Sequence, residues 1–173
     1  MVRIKIIGDP ILRMKAKPVR IFDSSLRNLI QTMIDVMLQN GGVGLAAPQV
    51  GVGVRLFVFD EYGGAEPRAI VNPEMVEHSE DRVIGEEGCL SIPNVYAEVE
   101  RYRWVKLKYR NEWGEEKEEV FEDYVARIVQ HEFDHLDGVL FIDRLTEEER
   151  RILKPALLEI SKQHRGVRSW NRI

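Results

Sequence analysis

Residues 124–138 read YVARIVQHEFDHLDG, and this stretch decides the fold. Tyr124, Val125, Ile128, Val129, Phe133 and Leu136 recur at helical spacing and Gly138 stops them, so the segment predicts a helix apolar enough to lie at the centre of the molecule. Polar residues on such a helix are costly unless something satisfies them. His131 and His135 stand four residues apart. On a helix that is only about 40° around the axis, so both imidazoles can reach one cation. Glu132 lies beside them, where a carboxylate can take a proton from water and later deliver it to a leaving amine. The plainer alternative is a buried helix with two hydrogen-bonded histidines. Desolvating two imidazoles and a carboxylate together favours the cation, which would satisfy all three. Asp134 and Asp137 are candidates for supporting partners or for solvent-facing positions.

Two histidines leave an open catalytic metal one protein ligand short. His78 sits in a polar stretch and His164 in a basic tail, so both are expected at the surface. Cys89 is different: residues 86–93, EEGCLSIP, place it in a turn, with glycine before it and Ile92-Pro93 soon after. A single cysteine read alone is more often a small buried hydrophobe. With only one in the chain, no internal disulfide is possible. A further loop, residues 42–49, reads GVGLAAPQ, whose small residues allow another chain to approach the backbone closely. It lacks the Lys-Ser/Thr of a phosphate-binding loop and the strand-loop-helix order of a dinucleotide site. Gln49 is its one side chain able to donate a directed hydrogen bond.

Around these segments the alternation of Val2, Ile4 and Ile6 predicts a short strand broken by Gly8-Asp9-Pro10. Leu26, Ile30, Met33 and Met37 predict an N-terminal helix from Asp23 or Ser24 to Asn40-Gly41. Residues 54–59, VRLFVF, predict a strand covered on both faces. Ile70-Val71 and Met75-Val76 predict two short strands around Asn72-Pro73. Apolar residues switch from odd to even positions near Tyr102 and back at Val105, which predicts a bulge or bend. Trp113-Gly114 predicts a hairpin that sets the acidic run 115–122 against Lys106 and Lys108 as a solvated sheet face. Thr146 and Glu149 form a capping-box pattern for a third helix, in which Pro155 predicts a kink or a second start. The fold class is α+β: small antiparallel or mixed sheets around a central helix carrying residues 131–135, with an N-terminal and a C-terminal helix.

The chain has 173 residues, 44% of them hydrophobic and 31% charged, which predicts one folding unit over 1–173 with a basic tail at 160–173. A net charge of -4 disfavours a DNA binder that relies on broad phosphate neutralisation. No apolar run approaches the roughly 20 residues needed to span a bilayer, and the start lacks the apolar region of a signal peptide. The expected compartment is the cytoplasm, with no membrane association.

Together and in this order, GVGLAAPQ, EGCLS at 87–91 and HEFDH at 131–135 resemble the marks of the peptide deformylases, and residues 8–13, GDPILR, resemble that family's amino-terminal stretch. The resemblance runs from near the start to about Leu145. It implies removal of the formyl group from the N-terminal formylmethionine of newly made proteins, with release of formate. It implies further that Cys89, His131 and His135 hold a divalent metal, typically Fe2+ in the family, with Zn2+, Ni2+ or Co2+ able to take its place. Glu132 would be the acid and base. Gln49 and the backbone N–H of Leu90 would donate to the formyl oxygen, Gly44 would pair with the substrate backbone, and Val43, Tyr124 and Ile128 would wall the methionine pocket. The substrate would lie as an extended strand along a sheet edge, so nascent N-termini of many sequences would be accepted. Cations complementing a helix C-terminus are the favoured explanation of the basic tail; the resemblance offers as an alternative a contact with ribosomal RNA, which similar C-terminal helices in the family touch. Two rivals stay open: a zinc peptidase, against which Cys89 argues, and a metal-stabilised binding fold without catalysis, against which Glu132 and Gln49 argue.

Overall fold

The computed structural model describes residues 2–61 and 66–164. Asp23 accepts a hydrogen bond from the Leu26 N–H and so starts α1 (Ser24–Gln39), whose inner face carries Leu26, Ile30, Met33 and Met37. The chain continues through β1 (Gly44–Ala46), a single 3-10 turn at Ala47–Val50, β2 (Leu56–Phe59) and β3 (Arg68–His78). Then come β4 (Arg82–Cys89), β5 (Ile92–Tyr102), β6 (Trp104–Arg110), β7 (Glu116–Glu122), α2 (Asp123–Leu136) and α3 (Glu147–His164). β1, β2, β3, β6 and β7 form one antiparallel sheet in that order, and β4 and β5 form a separate two-stranded ribbon.

The expectation for residues 54–59 holds in a specific way. Every residue of β2 is buried, because Phe57 and Phe59 join a cluster with Val129 and Leu136 of α2, whereas Leu56 and Val58 join one with Ile30 and Met33 of α1. Helices therefore cover both sheet faces. The ribbon turns its apolar face elsewhere: Ile92, Val95 and Val99 pack with Leu140, Phe141 and Leu157. Of the residues in α2, Ala126 to Glu132 and Asp134 to Leu136 are buried, as its central position requires.

Four local expectations change, the last of them at Pro155 in α3. Residues 2–6 form no strand; the Lys5 and Ile7 amides each make one backbone bond, to Gln49 and Ser91, and that holds the segment without a ladder. The two short strands around Asn72-Pro73 are one strand, β3, with a register shift between Val71 and Glu74 where proline cannot donate. Asn72 takes the left-handed conformation there, φ 51°, and its side chain pairs both ways with the Val19 backbone. At Tyr102 the bend separates two strands of different sheets, and the buried phase does not switch: Val99 and then Arg101 point inward.

The hairpin after Trp113-Gly114 forms as expected, with Lys108 opposite Glu118 and Lys106 paired to Glu118 at 2.9 Å. Thr146 and Glu149 exchange both capping bonds. α3 runs unbroken through Pro155, which lies on its exposed side, where the Arg151 carbonyl it leaves without an amide can face water.

Candidate metal centre

Three separate parts of the chain converge on one point. α2 supplies His131, Glu132 and His135 from its last turns, β4 ends on Cys89, and the 3-10 turn after β1 supplies Gln49. The Cys89 sulfur and one nitrogen from each histidine all lie within 4.8 Å of one another. Cys89 Sγ is 3.4 Å from His135 Nε2. His131 Nδ1 is held by Glu87 Oε1 at 2.8 Å, which leaves Nε2 as the nitrogen available to the cluster.

The donor set fits a metal on grounds internal to the structure. One sulfur and two imidazoles suit a borderline-soft divalent cation. Glu132 Oε2 and His135 Nδ1 are buried side-chain atoms with no hydrogen-bond partner. Burial works against a charge on His131, yet Cys89 and Glu87 outweigh it and hold its pKa well above the usual histidine value. The surroundings that would keep a proton there favour a cation in the same place. His135, by contrast, is pushed well down, by burial and then by the charge of His131. Burial also pushes the Glu132 carboxyl up to about 7.

The centre opens into a cleft of about 600 Å3. Gly44, Gln49, Cys89, Leu90, His131 and Glu132 line it, as do Val43, Tyr124 and Ile128. His135, 1% exposed, lies behind them. Gly44 is required by proximity, since a Cβ there would overlap the Glu132 carboxylate. Gln49 is fixed at both ends: its Oε1 accepts from the Ala46 N–H at 2.8 Å, while Nε2 donates to Ser91 Oγ at 3.1 Å and to Cys89 Sγ at 3.4 Å. His78 and His164 are exposed and take no part; His78 stacks on Tyr102, with ring centroids 3.8 Å apart.

Sequence reasoning missed what stands beneath the centre. Arg101 grips Glu87 with two bonds, of 2.9 and 2.8 Å, and reaches Asp134 at 2.6 Å. Asp134 in turn accepts two bonds from Arg144, and Arg127 donates to Glu87 at 2.7 Å. Burial raises the Glu87 carboxyl, but its bonds from Arg101 and His131 prevail and hold it well below the usual carboxylate range. Of the two aspartates left open, Asp134 is thus a buried partner within this network and Asp137 pairs with Arg55 at 2.7 Å. The signals were present: Glu87 opens the EGCLS stretch, and Arg101 continues the odd-numbered inward phase of β5.

A buried HExxH-type carboxylate beside a sulfur-and-imidazole cluster, at the foot of a substrate-sized cleft, defines the class of metal-dependent hydrolases on an α+β fold. The particular family follows from comparison: the chain belongs to the polypeptide deformylase family, whose model matches residues 1–151. It is 50% identical to the peptide deformylase of Thermotoga neapolitana over 166 residues, 96% of this chain and 100% of that one. Its fold matches a crystal structure of the peptide deformylase from Thermotoga maritima, with TM-score 0.81 and 51% identity over 84% of this chain and 98% of the other. That from Plasmodium falciparum matches with TM-score 0.90 and 36% identity over 94% and 96%. The protein is an enzyme of this family, a metal-dependent hydrolase that removes the formyl group from the N-termini of nascent proteins. Among the described residues no helix is long and apolar enough to cross a membrane.

Proposed function

We propose that Cys89, His131 and His135 hold the metal, that Glu132 is the acid and base, and that the metal is Fe2+, with Zn2+, Ni2+ or Co2+ able to replace it. The observation that carries this reading is the meeting of one sulfur and two ring nitrogens within 4.8 Å, beside a buried carboxylate oxygen that has no partner. A bound divalent cation would supply Lewis acidity towards water and the formyl oxygen. Glu132 takes one proton from the attacking water and delivers it to the amine nitrogen as the C–N bond breaks. The water oxygen leaves in formate and the peptide leaves with a free amine. Burial, which raises the pKa of the Glu132 carboxyl, favours its holding the proton between the two halves of that transfer.

Gln49 and the Leu90 N–H donate to the formyl oxygen as it gains charge, each worth about 3 kcal/mol if they behave as other oxyanion donors do. Of the two Gln49 donor bonds, the 3.4 Å one to sulfur is the weaker, and it is the one the formyl oxygen takes over. Gly44 offers its backbone to an extended substrate, and Val43, Tyr124 and Ile128 receive the methionine side chain. On this reading residues 1–173 act as one unit in the cytoplasm, without DNA, and the basic tail complements the end of α3, with contact to the ribosome as its alternative role. Of the tail's cations, Arg165, Arg168 and Arg172 lie outside the described residues.

The test is Glu132→Ala, measured for metal content and for formate release from formyl-Met-Ala. The account expects the metal retained and turnover reduced by about 10²–10⁴-fold. An active Glu132→Ala enzyme would refute the role. Hydrolysis of an internal peptide bond by the wild type would favour the peptidase reading. Salt-dependent co-sedimentation with ribosomes, unchanged after truncation beyond Ser161, would remove the tail's alternative role.

A further inference from the structure

A two-stranded ribbon is marginal by itself, and β4–β5 shares no ladder with the main sheet. Yet it carries Cys89, while both histidines ride on α2. The position of the sulfur relative to the nitrogens therefore depends on what fastens ribbon to helix. Near the sulfur apolar packing does not do it: the cluster that buries Ile92, Val95 and Val99 contains residues near Phe141 and from α3 and none from α2, and Tyr102, which does pack against the cluster holding α2, lies at the far end of β5. The fastening is polar, and Arg127 of α2 is its most extensive piece. Its guanidinium donates to Val83 O at 2.6 Å and Gly85 O at 3.1 Å on β4, to Val99 O at 2.8 Å on β5, and to the Glu87 carboxylate at 2.7 Å. Gly85 makes room, because a Cβ there would stand 3.0 Å from the guanidinium carbon.

We propose that Arg127 is a positioning residue for the metal centre, holding the backbones of both ribbon strands against α2 and so setting where Cys89 Sγ stands relative to His131 and His135. This rests on the reading of those three residues as the metal's holders. Bonds in several directions from one planar group are what a guanidinium supplies and a lysine ammonium does not. Through Glu87 the same group also bears on the imidazole of His131, whose Nδ1 shares that carboxylate.

The experiment compares wild type with Arg127→Lys and Gly85→Ala, and adds Cys89→Ser as a reference. Zinc affinity is measured by chelator competition, the thiolate charge-transfer band by absorption of the cobalt-loaded proteins, and folding by urea titration of the metal-free chains. Arg127→Lys is expected to weaken zinc binding by about 10–100-fold and to shift the cobalt band, with cooperative unfolding kept. Gly85→Ala should move both readings the same way by less. Wild-type zinc affinity and an unshifted band in whichever variants fold would overturn the proposal. Failure of both variants to fold would overturn it as well, by assigning Arg127 to overall stability. A cobalt band that survives in Cys89→Ser would instead sink the ligand reading itself.

Discussion

Two sets of ion pairs in this molecule use the same chemistry in opposite surroundings. Beneath the metal centre Arg101 and Glu87 pair with side chains only 3% and 4% exposed. On the outer strands Lys106 and Glu118 pair at a similar distance with side chains 28% and 42% exposed. The outer pair forms in water that already solvates both partners, so the contact adds little and tolerates rearrangement. In the inner network Glu87, Arg101, Arg127 and Asp134 have been taken out of water, with Arg144 alone reaching in from the surface, and each buried charge must find its partners in fixed directions. The inner network also touches His131, so its geometry is transmitted to the site, whereas the outer ladder touches nothing that reacts. Burial, then, turns an ordinary ion pair into a positioning device.

The comparison can be broken most directly by Arg101→Ala. That change leaves Glu87 and Asp134 with fewer cations in a dry site and is expected to cost about 3–5 kcal/mol in urea unfolding of the metal-free protein. A loss under about 1 kcal/mol would place the inner network in the same class as the surface pairs. A smaller effect is expected from acid. A carboxyl whose pKa folding lowers contributes stability that is complete above its ordinary value of 4.5 and fades as the pH falls below it. Metal-free wild type should therefore lose stability between about pH 5 and 3 more steeply than Glu87→Gln, which lacks the titrating group. Equal slopes would contradict the depressed Glu87. The smallest effect is expected from Lys106→Ala, whose unfolding midpoint should match wild type at low and high salt alike. A clear loss there would show that the ladder does more than solvate a sheet face.

What the sequence made legible follows the same division. α1 and α2 could be read from periodicity because each buries one continuous stripe, and Asp23 and Gly138 mark ends by local rules. His131, Glu132 and His135 could be read because they share one helix, so the spacing itself fixes their mutual placement. Cys89 and Gln49 reach the centre only through tertiary folding, and nothing local says so; the resemblance of the EGCLS and GVGLAAPQ stretches brought them in. Glu87, Arg101 and Arg127 were harder still, since charged residues are ordinarily read as surface and their partners lie 14 to 44 positions away. The alternating start at Val2 to Ile6 misled because single bonds to Gln49 and Ser91 satisfy it where a strand was expected. Around Asn72-Pro73 the break seen in the sequence is real but amounts to a bulge, because β6 continues to pair on both sides of it.

The central claim is that a sulfur from the ribbon and two nitrogens from α2 share one cation, and X-ray absorption at the metal edge of the stoichiometric zinc-loaded protein tests it most directly. The account predicts one sulfur neighbour at about 2.3 Å and two imidazole nitrogens at about 2.0–2.1 Å. A shell of nitrogen and oxygen alone, unchanged in Cys89→Ser, would contradict it.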